Sequence, residues 1–148
     1  MFGQTSPQWP YSAGTFTPTV SLIGGAGNTT PVYTTNSGRY TRIGNRCFVS
    51  IYLTGDGGAE GAGTGTMDIA LPLAAGASQP QGDFAAGTIS NNTEELPAFG
   101  FIMGGTTSLT LKMQADTAGA VSSAVVQVTG ADQNNATRAI RLNFFYEV

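Results

Sequence analysis

The chain has 148 residues, no histidine, one cysteine and one lysine, which excludes a Ser-His-Asp triad, a Cys-His pair and any two-histidine zinc site. Charged residues make up 10% of the sequence and hydrophobic ones 41%, against about 25% charged in an ordinary soluble domain; that hydrophobic content argues for a packed core rather than disorder. Net charge is −3 and the six Lys/Arg are scattered, so no basic stripe exists to neutralise phosphates and nucleic acid is not an expected partner.

A surface built from Thr, Ser, Asn, Gln and Gly instead of ions suits a protein packed against identical neighbours, because a hydroxyl costs less to desolvate than an ion. The start of the chain has neither a cationic segment nor an apolar run, so no secretory signal is expected. No stretch approaches the ~18 apolar residues of a membrane helix, so no membrane partner is expected either. A lone Cys47 implies synthesis in a reducing compartment without disulfides.

In chain order, residues 1–14 read as an extended N-terminal arm and residues 15–148 as one β-sandwich domain. Pro7 and Pro10 oppose regular pairing in the arm. Phe2, Trp9 and Tyr11 carry apolar surface that is costly to leave in water, so the arm is expected to dock on its own domain or on a neighbour, with these three as the candidate partner-binding anchors. Residues 15–23 are β-branched, and the glycines of 24–27 end that run. Residues 31–35 form a short run closed by the turn-forming cluster Asn36-Ser37-Gly38. Residues 39–43 follow, and 46–54 place Cys47, Val49, Ile51 and Leu53 on one face by the two-residue repeat.

Residues 55–65 hold six glycines and read as a long loop. Residues 66–71 put Met67, Ile69 and Leu71 inward. Further strands are expected near 82–90, 98–103 and 108–114, with residues 91–97 as a loop. Residues 120–129, rich in Ala and Val, are ambiguous. In 138–148 the row Ile140, Leu142, Phe144, Tyr146, Val148 alternates with Arg141, Asn143, Phe145 and Glu147. Eight or nine strands without an amphipathic helix give an all-β fold, an antiparallel sandwich or jelly roll. Phe48, Tyr52 and Phe145 fall opposite the core rows, so part of the outer sheet surface is expected to be apolar and to contact another subunit.

The chemical motifs are weak. Neither glycine run fits a phosphate loop, and Lys112 is far from both. Glu94 and Glu95 are sequence neighbours that tend to point apart, unlike the opposed carboxylates of a glycosidase. The three N-x-[ST] matches, at Asn28, Asn91 and Asn135, are read as turn residues, and Asp56 and Asp68 fit no calcium loop. The chain is therefore expected to be no enzyme, with no catalytic residues, no metal and no cofactor.

One stretch is more specific. Gly14-Thr15-Phe16-Thr17-Pro18-Thr19, then Tyr33-Thr34, then Gly38-Arg39-Tyr40-Thr41-Arg42-Ile43-Gly44-Asn45 and an apolar strand, resembles the β-sandwich modules of tailed-bacteriophage virion proteins. The likeness is strongest over residues 14–53 and extends to the closing strand at 139–146. It implies a homotrimeric, non-enzymatic virion protein, made in the cytoplasm of the bacterial host. In such a protein Arg39 and Arg42 are expected to pair with carboxylates across a subunit boundary. Family members are capsid decoration (cement) proteins bound to the major capsid protein, or tail-fibre tips that bind host-surface glycans. With about fourteen residues ahead of the sandwich, the decoration role is the expected one here, and the fibre or baseplate tip is the alternative.

Overall fold

The structure, a computed structural model, describes residues 9–28, 31–55, 63–91, 94–117, 120–129 and 138–148. The regular elements among them are ten strands: β1 (Tyr11–Phe16), β2 (Val20–Ile23), β3 (Thr35–Ile43), β4 (Arg46–Thr54), β5 (Thr66–Ala70), β6 (Asp83–Asn91), β7 (Glu94–Phe101), β8 (Ser108–Thr117), β9 (Ala120–Gln127) and β10 (Ala139–Glu147). Every pairing is antiparallel, in the order β1-β3-β4-β10-β6-β7-β8-β5-β2, with β9 attached to β8. The expected all-β, antiparallel sandwich-like architecture is what the chain adopts.

Strict alternation makes one side of this sheet a core. Cys47, Val49, Ile51 and Leu53 of β4 are buried, and so are Ile140, Leu142, Phe144 and Tyr146 of β10. Met67 and Ile69 of β5 and Leu109 and Leu111 of β8, from the other half of the strand order, join the same cluster. A flat sheet could not bring both halves to one core, so the sheet curls over itself and its two inner faces interdigitate. A bulge between Ala85 and Gly87 contributes to that curl by bending β6. β10 pairs with β6 only as far as Leu142 opposite Gly87.

The most specific sequence stretch has a mechanical explanation. Two Gly-x-aromatic tripeptides, Gly14-Thr15-Phe16 and Gly38-Arg39-Tyr40, lie antiparallel in one register, so that Gly14 faces Tyr40 and Gly38 faces Phe16. Each ring lies over the glycine opposite. A Cβ at Gly38 would come 2.4 Å from the Phe16 ring, and one at Gly14 would come 3.1 Å from Tyr40. The rings meet edge to face at 6.4 Å. Glycine is a poor strand former, but covering it with a cross-strand aromatic recovers the lost packing.

Several sequence expectations are corrected here. The arm does not extend to residue 14, because Tyr11–Gly14 already pair with β3. The run 15–23 is two strands, split where Pro18 cannot donate to a ladder. Asn36-Ser37-Gly38 is not a turn but the middle of β3, where Gly38 is required by the Phe16 ring. Of the expected 91–97 loop, residues 94–97 are strand: Asn91 pairs with Glu94 and Thr88 with Pro97, so β6 and β7 pair antiparallel, and residues 92–93 lie outside the described residues. The ambiguous 120–129 segment is a strand over 120–127.

Tyr146 ties the core to a loop, its hydroxyl donating to the Leu73 carbonyl at 2.7 Å and accepting from the Leu73 amide at 3.3 Å. Burial, with the neighbouring Cys47 thiol, raises the Tyr146 pKa well above its ordinary 10.0. Burial likewise raises the Cys47 thiol above 9.0, despite opposing contributions from Tyr146 and Arg42. Both groups stay protonated in the folded protein at pH values where the unfolded chain ionises, so the native state holds more protons and stability falls as pH rises. Thermal melts should be flat from neutrality to about pH 8.5 and then decline steeply past about pH 10. Tyr146→Phe should remove much of the steep limb, and an unchanged profile in that variant would rule Tyr146 out as its source.

Candidate docking face

On adjacent antiparallel strands, register partners share a face and meet side by side. Four rows cross the outer surface of β1, β3, β4 and β10. The first is Tyr11, Ile43, Arg46, Glu147; the second is Ala13, Thr41, Phe48, Phe145. The third is Thr15, Arg39, Ser50, Asn143, and the fourth is Ser37, Tyr52, Arg141, Thr88. This side of the sheet therefore carries large apolar groups in the open. Tyr11 is 71% exposed, Phe145 53%, Ile43 51%, Phe48 43% and Tyr52 40%. Exposed apolar groups scattered singly are ordinary, but a contiguous patch signals contact with another molecule.

The rings are paired with arginines. Phe48 and Phe145 are direct cross-strand partners with centroids 5.8 Å apart. The Arg46 guanidinium sits 5.5 Å from the Phe145 centroid, and that of Arg141 sits 5.5 Å from Tyr52. Arg141 also meets Glu95 at 3.2 Å, and Glu95 accepts from the Thr88 hydroxyl at 2.7 Å. Arg39 has no ionic partner among the described residues. Arg39, Arg46 and Arg141, three of the six basic residues of an acidic chain, thus lie on one face. Rigid aromatics with arginine are the composition enriched where protein interfaces bind tightly.

Phe145 stands as a ridge between two hollows. One of about 430 Å³ lies toward β3, between Arg39, Thr41, Ser50 and the Phe48 ring. The other, about 420 Å³, lies toward residues 79–85, where β10 and β6 part beyond Leu142. Asn143 and Phe145 line both. Such a surface can seat side chains of a partner and present guanidinium groups to carboxylates or backbone carbonyls.

Among the residues singled out in the sequence, Tyr11 and Arg39 fall on this face and Phe2 lies outside the described residues. Trp9, 71% exposed, flanks the face at the turn between β3 and β4. Its ring lies 3.1 Å from where a Gly44 Cβ would sit, and the Gly44 amide donates to the Pro10 carbonyl at 2.8 Å. Arg42 is set apart from Arg39 by strand alternation. It shares its row with Ser12 and buried Cys47, and its Nε donates to the Gly44 carbonyl at 2.9 Å. Arg46 and Arg141 were not singled out, because only cross-strand register shows that each stacks on an aromatic of the neighbouring strand.

Elsewhere, Arg138 is 1% exposed, donates to the Val32 carbonyl at 2.6 Å and lies over the Tyr33 ring at 5.4 Å. It clamps the 31–33 segment to the end of β10 and is structural. Among the described residues no cluster of His, Cys, Asp or Glu is arranged to hold a metal ion. Comparison of the chain with protein families, with curated proteins and with solved structures gives no match.

Proposed function

We propose that this chain is a structural protein of a tailed-bacteriophage particle, a capsid decoration protein that attaches as a homotrimer to the major capsid protein. One observation carries the reading: the exposed, arginine-backed aromatic face of β1, β3, β4 and β10, built from Tyr11, Ile43, Phe48, Tyr52 and Phe145. The likeness of residues 14–53 to phage virion modules supplies the kind of partner. The interlocked glycine–aromatic pairs give that stretch a physical role in holding β1 to β3 beneath the face.

Function on this reading is mass action. A protein that binds the assembled shell and not its dissociated subunits stabilises the shell by RT ln(1 + [L]/Kd). Three copies held together multiply a modest contact through effective concentration.

The test is immunogold labelling of virions from cells that express the tagged protein during infection. Label on heads is the expected result. Label on tail tips would assign the chain to host-surface glycan binding, and particles without label would remove it from the virion.

A further inference from the structure

The sheet's open edges carry a pattern that the docking face does not use. No charged residue occurs before Arg39, and none occurs between Asp116 and Asp132. These two stretches contain β1, β2 and β9. In the paired order β1 and β2 are the two terminal strands, while β9 touches β8 alone. These three strands are therefore uncharged along their whole length, and every charge carried on a strand lies on the other seven. Soluble proteins ordinarily guard such edges with lysines, prolines or bulges, because unpaired amides and carbonyls are a template for another chain.

β9 hangs from the sheet through β8 alone. β8 pairs with β5 through Ser108–Thr110 and with β7 as far as Met113, where the ladder reaches Ala98 beside Pro97, which has no N–H to offer. Beyond that point, among the described residues, β8 and β9 continue as a two-stranded ribbon. The adjacent residues Val125 and Val126 point to opposite sides of that ribbon, yet they are 39% and 37% exposed, so both of its faces are open at these two positions. The end of β9 is anchored: the Val128 amide donates to the Leu111 carbonyl and its carbonyl accepts from the Met67 amide. A two-stranded ribbon of Ala, Val and Ser is marginal in water by itself.

We infer that β9 of one copy adds to the open edge of β1 in the next copy, continuing the sheet across the subunit boundary. Composition and strand length name the occupant. An uncharged strand can be desolvated against another uncharged strand without burying an ion, and among the described residues β1 is the longer of the two terminal strands, with six residues against the four of β2 and β3 alone beside it. Two different edges make a heterologous contact, which closes into a ring when the rotation allows it. This inference deepens the homotrimer of the proposed function, and its test uses no phage particle, so that either idea can fail alone.

The wild-type protein at tens of micromolar should run in light scattering at three times its 15.2 kDa chain mass. Val125→Lys/Val126→Lys should run at one chain mass with unchanged circular dichroism. Cys47 is fully buried, so engineered thiols can be read cleanly without removing it. Mixing Thr15→Cys with Val125→Cys under mild oxidation should give a disulfide between the two variants. A monomeric wild type, a trimeric lysine variant, or Val125→Cys linking only to itself would each overturn the β9-to-β1 contact.

Discussion

Gly87→Ala should cost at least about 3 kcal/mol and lower Tm by about 10 °C. Gly87 closes the bulge in β6, with φ at 152°, a conformation that side chains on L-residues rarely adopt. There is also no room: an added Cβ would lie 1.9 Å from the Arg141 carbonyl oxygen and 2.9 Å from the Leu142 Cα. Both belong to backbone of a strand with partners on each side, so neither can step away without breaking the β10 ladder to β6 or to β4. Leu142 is fully buried in the core, so moving β10 also opens packing that is worth a few kcal/mol. Gly82→Ala is the control, since nothing lies within 4 Å of its Cβ position, and it should melt with the wild type. If Gly87→Ala melted within about 2 °C of wild type, well inside that scale, the bulge would not be the rigid corner described here.

The strands that read most easily in the sequence are those buried on one face and wet on the other. β4 and β10 alternate without a fault because the core imposes a period of two on them. Asn36-Ser37-Gly38 was misread because these residue types favour turns in isolation, whereas the need for glycine comes from Phe16, twenty-two positions earlier. Residues 94–97 read as loop for a similar reason. Two adjacent glutamates and a proline look like a loop, yet Glu95 is held by Arg141 and Thr88, and Pro97 falls where β8 leaves the sheet. Half of the docking face was legible, since Phe48, Tyr52 and Phe145 oppose the core rows by simple offset. The other half was not. That Arg46 covers Phe145, or that Arg141 covers Tyr52, depends on which strands are neighbours, and local sequence does not carry that information.

If the chain binds phage heads as proposed, Phe48→Ala/Phe145→Ala should weaken that attachment by about 100-fold or more while leaving the fold intact. The two rings are cross-strand partners, they are about half exposed, and neither belongs to the core cluster. Truncating them therefore opens no internal cavity, and Tm should move by no more than about 2–4 °C. At an interface the same rings are worth far more. They form the ridge between the two hollows, and Phe145 holds the Arg46 guanidinium above its face. Losing both removes central apolar area and frees Arg46, so that its ordering entropy must be met on binding. Trp9→Ala should act in the same direction but more weakly, by about tenfold, because Trp9 flanks the face and rim contacts carry less energy than central ones. Occupancy of purified heads, measured by quantitative gel densitometry across a titration, reads both effects. Full occupancy by the double alanine variant at wild-type concentrations would show that the capsid is held by some other surface.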